Sequence, residues 1–504
     1  MVDMLRHPRR LGAALAVTSL LALSVWTSAP AAGTTLPADP AAAATPPNVI
    51  LILTDDLAWN LVQYMPQVQR LQRDGMTFTN YTVTDSLCCP SRSSIFTGKF
   101  PHDTGVFTNG GTDGGFAVFK GRGNESNTFA TALQAKGYAT AMMGKYLNGY
   151  LPADTQGGSL PYVPPGWSDW RVAGNGYPEY NYDLNENHTV VHYGDSPADY
   201  LTDVVSGKGS SFIQNAVAAN KPFLLEIATF APHGPFTPAP EDLTDFPGLT
   251  APRTPAFNKL PANAPGWLAG NAPLTAAQKT TIDTNFRKRA QSVQAVDRMI
   301  GDLRADLAAS GVADNTYLVF TSDNGFHMGE YRLTSGKQTA FDTDVRVPLI
   351  VVGPGVAAGS TRPEIVQNID LAPTFQRIGG ADVASAVNGR SLLPLLNGEP
   401  AANWRTASLI EHHGPGQDAD DPDFQTAKAG TPTTYSALRT AVYTYVEYST
   451  GEREYYDRVA DPYQLNNIAA TLSAARLAAL HTALDALVNC HSQSACWTAG
   501  HVTA

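Results

Sequence analysis

Five apolar runs of strand length are spread along the chain, and they limit its possible folds more than any other feature. Each run is continuous rather than alternating, as expected for a strand whose two faces are both buried. Helical stretches lie between the runs, and the clearest of them, Ala276 to Ser310, places apolar residues at helical spacing. Strands that alternate with helices predict an α/β fold with a large, mostly parallel or mixed sheet between helical layers. The runs are NVILILT (48–54), TAMMG (140–144), FLLEIAT (223–229), TYLVFTS (316–322) and VPLIVVG (347–353).

The first 31 residues are typical of a secretory signal peptide. A basic start is followed by an apolar run from Leu11 to Trp26 and by the small residues Ala29-Pro30-Ala31. The apolar run is shorter than the roughly 20 residues that a membrane-spanning helix needs, which argues against an uncleaved anchor. Residues 32–46 are rich in Ala, Pro and Thr and predict a linker. We therefore expect a secreted, extracellular protein with no membrane anchor in its mature form.

Charge and cysteine content narrow the possible partners and fix one expected crosslink. The formal net charge is -11 and no basic tract follows the leader, which argues against nucleic acid as a partner. Cys490 and Cys496 lie close together near the end of a chain expected to be exported, so we predict a disulfide between them. A zinc site that uses these cysteines with His491 and His501 is the alternative.

The character of the chain changes near Trp404, which predicts two domains, residues 47–403 and residues 404–504. The second contains two or more stretches typical of antiparallel strands and a terminal helix at 472–488, so we expect a small α+β domain with an antiparallel sheet. Three of its tyrosines either stack on a sugar or pack within that sheet. They are Tyr443, Tyr445 and Tyr448.

Polar side chains follow four of the predicted strands, at the point where each strand ends. In an open parallel sheet, ligands bind beyond the carboxyl ends of the strands, so we expect these groups to converge at one edge. Three acids and one amide form an oxygen-only ligand set that suits calcium or magnesium rather than zinc. The alternative for any single strand-end Asp is a turn or a helix cap. The groups are Asp55 and Asp56, Lys145, His233, and Asp323 with Asn324.

Two adjacent cysteines in CCPSR (88–92), followed by TGK (97–99), resemble the signature of the type I sulfatases. The resemblance extends from about residue 47 to residue 469. It implies a member of the alkaline phosphatase superfamily, in which a formylglycine-generating enzyme oxidises the first cysteine, Cys88, to formylglycine during maturation. The aldehyde would hydrate to a diol that is a better nucleophile than a thiol. The alternative for Cys88 is a buried structural thiol.

The resemblance also implies a role for each group at the sheet edge, carried over position by position. The acids and the amide would bind calcium together with residue 88, and Asp323 would also be positioned to take the proton of the diol. Arg92 would hold the hydrated aldehyde, and two lysines would offset the charge of the sulfate. His233 would lie near the oxygen of the leaving group. The implied metal ligands are Asp55, Asp56, Cys88, Asp323 and Asn324, and the implied lysines are Lys145 and Lys337.

One position departs from the pattern of many sulfatases, which have Lys-x-His where this chain has Lys145-Tyr146-Leu147. The same departure occurs in the branch that is similar to N-acetylglucosamine-6-sulfatases, and stretches such as ATFAPHGPF and DPYQLNNIA also resemble that branch. The resemblance therefore implies a sulfated sugar or glycan as the substrate. Three other functions stay open: a broad arylsulfatase, a phosphate or phosphonate monoesterase, and a non-catalytic glycan-binding protein if Cys88 is unmodified.

Overall fold

The computed structural model describes residues 45–416 and 421–503 of the chain. The predicted signal peptide and most of the predicted linker lie outside the described residues. Within these residues, sixteen strands and thirteen α-helices form two sheets of four or more strands, one two-stranded pair and the surrounding helical layers. No helix in this part of the chain has both the length and the apolar character needed to cross a membrane.

The strands in chain order are β1 (Asn48–Thr54), β2 (Met76–Thr82), β3 (Ala139–Lys145), β4 (Asp169–Ala173), β5 (Tyr182–Glu186), β6 (Thr189–Tyr193), β7 (Phe223–Ala228), β8 (Thr316–Ser322), β9 (His327–Met328), β10 (Ser335–Gly336), β11 (Leu349–Val352), β12 (Ser360–Gln367), β13 (Ala407–His412), β14 (Tyr435–Thr440), β15 (Tyr443–Tyr448) and β16 (Arg453–Asp457). The helices are α1 (Pro66–Asp74), α2 (Cys88–Thr97), α3 (Pro101–Thr104), α4 (Gly115–Gly121), α5 (Phe129–Ala135), α6 (Leu201–Ala218), α7 (Gly266–Ala269), α8 (Ala276–Ala309), α9 (Asp342–Val345), α10 (Leu371–Ile378), α11 (Leu393–Leu396), α12 (Ala474–Val488) and α13 (Gln493–Ala499).

The large sheet has ten strands in the order β12-β2-β11-β8-β1-β7-β3-β4-β5-β6. Its central strands β8, β1, β7 and β3 are all parallel, whereas β11 runs antiparallel to both of its neighbours and β5 and β6 are antiparallel at one edge. The sheet is therefore mixed, and the predicted α/β fold class is confirmed. All five apolar runs form strands of this sheet.

Both faces of the large sheet are covered by helices, which explains why its central strands carry apolar residues on both faces. In β1, Val49, Leu51 and Leu53 pack with α2, α4, α5 and α10, whereas Ile50 and Ile52 pack with α1, α6 and α8. In a strand buried on both faces, successive apolar side chains all leave water and stabilise the fold. In a strand with one solvent-exposed face, only every second side chain does so. The register of β1 with β7 and β8 sets the positions of their carboxyl ends relative to one another.

The smaller sheet is antiparallel in the order β13-β14-β15-β16 and packs against α12. It confirms the predicted C-terminal antiparallel sheet. The boundary predicted between residues 403 and 404 stays a prediction. The three tyrosines that either stack on a sugar or pack within the sheet are buried, which supports packing; they are Tyr443, Tyr445 and Tyr448.

A disulfide joins Cys490 to Cys496, just beyond the end of α12. Because the bond uses both thiols, the alternative zinc site does not form. His491 Nδ1 instead donates a hydrogen bond to Asp103 Oδ1, and the ring nitrogens of His501 face the carbonyl oxygens of Trp497 and Asn403. The crosslink holds α13 close to the end of α12.

Candidate active site

Cys88 is the first residue of α2 and is fully buried at the carboxyl edge of the large sheet. Pro90 lies in the first turn of this helix, where its missing N–H costs no helical hydrogen bond. The Cys88 Sγ lies 3.2 Å from Asp55 Oδ1 and 3.3 Å from Asp423 Oδ2, and it accepts a hydrogen bond of 2.9 Å from Lys337 Nζ. The thiol is therefore surrounded by charged groups rather than by apolar packing.

The four oxygen-bearing residues expected at the sheet edge lie together. Asp55 and Asp56 follow β1, and Asp323 and Asn324 follow the parallel neighbour β8. Asp323 Oδ1 accepts the backbone N–H of Asp56 at 3.1 Å, and Asn324 Nδ2 donates to Asp56 Oδ1 at 2.7 Å. All four residues are buried, so the strand register brings three carboxyl groups into a small volume away from solvent.

This cluster fits a hard divalent cation. Suitable atoms of Asp55, Asp56, Cys88 and Asp323 lie within 4.8 Å of one another. The Oδ1 atom of Asn324 is buried and has no hydrogen-bond partner among the described residues, which is costly unless another group binds it. Carboxylate and amide oxygens are the ligands that calcium and magnesium prefer. The residues present are therefore suited to such an ion.

Arg92 connects this cluster to the neighbouring strand. Its Nε donates to Asp323 Oδ2 at 2.8 Å, and its Nη1 donates to the carbonyl oxygen of Lys145 at 2.9 Å. The Lys145 ammonium in turn pairs with Asp55 Oδ2. Because Arg92 and both partners are buried, each ion pair offsets a charge that burial would otherwise strongly disfavour.

Lys337 and His233 share one carboxylate, that of Asp423. Lys337 Nζ is 2.7 Å from Asp56 Oδ1 and 2.8 Å from Asp423 Oδ1. His233 Nε2 is 2.7 Å from the same Asp423 oxygen, and its Nδ1 is 2.8 Å from the carbonyl oxygen of Gly234. Both ring nitrogens therefore face acceptors, an arrangement that favours the doubly protonated imidazolium.

The electrostatics of the site agree with these contacts. Burial and the carboxylates of Asp423 and Asp55 raise the pKa of the Cys88 thiol well above its usual value. Burial alone would lower the pKa of His233, but the same two carboxylates outweigh it and raise that pKa. Burial would also lower the pKa of Lys337, yet Asp423 and Asp56 raise it well above its usual range. At neutral pH, Cys88 is thus a neutral thiol beside a cationic lysine.

Asp423 and its neighbours are functional candidates that the sequence pattern did not indicate. They lie in the segment that connects β13 to β14, two strands of the smaller sheet. Asn109 Nδ2 donates to Asp423 Oδ2 at 2.8 Å and to Asp421 Oδ1 at 3.1 Å, and Asn109 Oδ1 accepts the Cys89 N–H at 3.0 Å. Asn109 therefore links this segment to the start of α2.

A cavity of about 350 Å³ opens beside Lys145. Its walls include the rings of Tyr177 and Phe230 and the polar residues Asn148 and Asp421. The Lys145 ammonium lies 4.9 Å from the centre of the Tyr177 ring. Leu147, at the position where many sulfatases have histidine, also lines this cavity, and the adjacent Asn148 donates to the Tyr177 hydroxyl at 3.3 Å.

Residues 47–381 match the sulfatase family. The chain is a sulfatase. Residues 329–489 also match the C-terminal region described as N-sulphoglucosamine sulphohydrolase. As a member of this family, it is an enzyme that hydrolyses sulfuric esters.

One curated relative is the N-acetylglucosamine-6-sulfatase of Homo sapiens, which is 37% identical over 483 residues, covering 90% of this chain and 86% of that protein. A solved structure described as a complex with its substrate D-glucosamine-2-N,6-O-disulfate is 25% identical, with a TM-score of 0.72, and covers 88% of this chain and 97% of that one. A phosphonate monoester hydrolase from Silicibacter pomeroyi shares the fold at 21% identity, with a TM-score of 0.65 over 86% of this chain and 93% of that one.

Proposed function

We propose that this sulfatase releases inorganic sulfate from 6-O-sulfated N-acetylglucosamine residues of glycans, with a formylglycine derived from Cys88 and a bound calcium ion. The observation that carries the proposal is the position of Cys88 at the start of α2, within hydrogen-bond distance of Lys337 and of the Asp55 carboxylate. A helix N-terminus and buried cations together favour an anion at this point.

The surroundings of Cys88 do not suit an unmodified thiol as the nucleophile, which supports a formylglycine at this position. A buried thiol whose pKa is raised is a weak nucleophile, because the thiolate is the reactive form. The hydrated aldehyde would instead supply a hydroxyl nucleophile at the same place. The neighbouring Cys89 lies in the apolar core and has no such environment.

Five positions would hold the ion: Asp55, Asp56, residue 88, Asp323 and Asn324. When bound, calcium, or magnesium in its place, would supply positive charge to the nucleophile and to the sulfate oxygens. The unpartnered Oδ1 of Asn324 supports this assignment. Arg92 would keep the carboxylate of Asp323 in place through their 2.8 Å ion pair.

The remaining polar groups would act on the sulfate group and on the leaving alcohol of the ester. Lys145 and Lys337 would offset the charge on the sulfate, since both are buried and cationic. His233 would hold a proton close to the oxygen of the leaving alcohol, because the carboxylates of Asp423 and Asp55 raise its pKa and favour the imidazolium. A sugar alcohol is a poor leaving group and needs such a donor more than a phenol does.

The proposed sugar is supported by the relative at 37% identity, which is an N-acetylglucosamine-6-sulfatase, and by the cavity beside Lys145. A volume of about 350 Å³ and walls that combine two aromatic rings with polar groups suit a single sugar residue. We further propose that the protein is secreted, on the basis of the signal-peptide pattern in residues 1–31. Sequencing the N-terminus of protein recovered from culture medium would test that part.

Two measurements on one preparation test the proposal. The mass of the tryptic peptide of residues 74–92 shows whether the sulfur of one cysteine has been replaced by an aldehyde oxygen. Sulfate release from N-acetylglucosamine-6-sulfate, compared with the Cys88→Ala variant, then shows whether the modified protein acts on the sugar. An unmodified peptide, or a modified protein that cleaves aryl sulfates but ignores the sugar, would contradict the proposal.

A further inference from the structure

The carboxylate of Asp423 occupies a position that the proposed reaction does not explain. Its side chain is buried, and its two oxygens contact Lys337 and His233 on one side and Cys88 and Asn109 on the other. Lys337 and His233 are the groups proposed to face the sulfate ester. A fixed negative charge therefore lies directly beside the site where an anionic substrate must bind.

Asp423 differs from the other three carboxylates near Cys88 in its origin and in not being one of the proposed ligands of the ion. Asp55, Asp56 and Asp323 follow strands of the large sheet and form the set that suits a divalent cation. Asp423 comes from the segment between β13 and β14, and a single oxygen, Oδ1, pairs with both Lys337 and His233. It thus reduces the positive charge that Lys337 and His233 present to a substrate.

The charge of the substrate decides how much this reduction matters. A sulfate monoester carries one negative charge, whereas a phosphate monoester carries two above its second pKa. Removing a fixed negative charge from the site relieves about twice as much Coulomb repulsion for the dianion as for the monoanion. The phosphonate monoester hydrolase with the same fold indicates that this fold alone does not exclude phosphorus esters.

We propose that Asp423 is a specificity-determining residue that favours monoanionic esters over dianionic ones at this site. The inference rests on the proposed reaction at Cys88 and adds to it a residue from the segment that connects β13 to β14. Through the shared hydrogen bonds, Asp423 orients His233 and Lys337 and at the same time limits their combined charge. Phosphate monoesters would then be rejected by charge rather than by shape.

The test compares wild type with Asp423→Asn on 4-nitrophenyl sulfate and 4-nitrophenyl phosphate, at a pH where the phosphate ester is a dianion. The leaving group is the same, so any loss of His233 orientation affects both substrates and cancels in the ratio of their kcat/KM values. We expect the ratio of phosphate to sulfate activity to rise about tenfold or more in the variant. An unchanged ratio would overturn the inference.

Two further variants control for charge and for folding. Asp423→Glu keeps the charge and should keep the wild-type ratio even if both activities fall; a ratio like that of Asp423→Asn would contradict the inference. Asp382→Asn removes a fully exposed carboxylate elsewhere on the protein and should leave the ratio unchanged. An equal shift in that variant would show that only the overall charge matters.

A measurement on wild type alone covers the case in which the Asp423 variants do not fold. A 4-nitrophenyl phosphonate monoester is a monoanion, so wild type should hydrolyse it with a higher kcat/KM than 4-nitrophenyl phosphate. The reverse order would overturn the inference. If wild type instead hydrolyses phosphorus esters and no sulfate ester, the proposed function fails, and that outcome is distinct from an unchanged ratio.

Discussion

Cys88 and Cys89 are neighbours in the chain, but their side chains point into different surroundings. The Cys88 thiol contacts Lys337, Asp55 and Asp423. The Cys89 thiol belongs to the apolar cluster under α2, where burial raises its pKa to about 12. The first turn of α2 separates the two side chains by about 100° around the helix axis, so only one of them faces the site.

We expect Cys88→Ala to abolish sulfate release and Cys89→Ala to leave much of it. The first variant removes the atom that would become the nucleophile, whereas the second leaves a small gap in the core that costs about 1 kcal/mol of the free energy of unfolding. Release of sulfate from an aryl sulfate, together with thermal unfolding of each variant, measures both effects. Activity that survives in Cys88→Ala but is lost in Cys89→Ala would reverse the assignment.

His233→Ala and Lys337→Ala should separate a sugar sulfatase from a broad arylsulfatase. A sugar alkoxide leaves poorly without a proton, so loss of the proton donor should lower kcat for N-acetylglucosamine-6-sulfate far more than for a nitrophenyl sulfate. Loss of a group that only contacts sulfate should affect both substrates equally. Steady-state kinetics of wild type and both variants on both substrates provide the comparison. Equal losses for both substrates in both variants would mean that neither residue is the donor.

Part of the site could be predicted from the sequence, because several of its residues directly follow strands of the large sheet. Asp55 and Asp323 directly follow apolar runs, and parallel strands deliver their carboxyl ends to one edge. Asp423 follows no strand of the large sheet and lies 190 residues from its partner His233. Its contact with the site depends on how the small sheet packs against the large one. No local pattern carries that information.

At the scale of elements, burial on both faces made the central strands predictable, but not their direction. The run VPLIVVG is as apolar as its neighbours, yet β11 is antiparallel to β8 and β2. Only 26 residues separate the end of β8 from the start of β11, and they contain no helix longer than four residues. A parallel return needs a crossover connection, usually a helix of substantial length. The predicted helix at 276–310 forms as α8, and the side chain of Thr275 caps its first turn.

The central strand β7 carries a buried carboxyl group, Glu226, whose two oxygens have no hydrogen-bond partner among the described residues. Burial raises its pKa from the ordinary 4.5 to about 8. Between these two values the folded state binds a proton that the unfolded state has released. The protonated group therefore favours folding at low pH, and its contribution is lost as the pH rises from about 4.5 to about 8.

Glu226→Gln should consequently stabilise the protein at pH 8 and have little effect near pH 5. Glutamine has the shape of the protonated acid and carries no charge at either pH. We expect the gain in the free energy of unfolding at the higher pH to be about 1 to 3 kcal/mol. Denaturant unfolding of both proteins at the two pH values would measure it. A gain of the same size at both values would show that Glu226 does not titrate in this range.

At the scale of the whole molecule, the site is assembled from distant parts of the chain. Residues at or just beyond the ends of β1, β3, β7 and β8, the start of α2 and the segment before β14 all meet around Cys88. None of these groups can approach the others unless the sheet, the helical layer and the small sheet have packed. An ion held by this cluster would bind the folded state and not the unfolded chain.

Metal removal should therefore lower activity and stability together. Chelation of purified protein should abolish sulfate release and lower the midpoint of thermal unfolding, and added calcium should restore both. At an ion concentration of about 100 times its Kd, the expected stabilisation is about 3 kcal/mol. Asn324→Ala removes one ligand oxygen without leaving a charge unpaired, so it should weaken the response to calcium while the protein stays folded. Elemental analysis of active protein identifies the ion. Stoichiometric zinc without calcium or magnesium, or an unfolding midpoint that does not respond to calcium, would contradict the oxygen-only site.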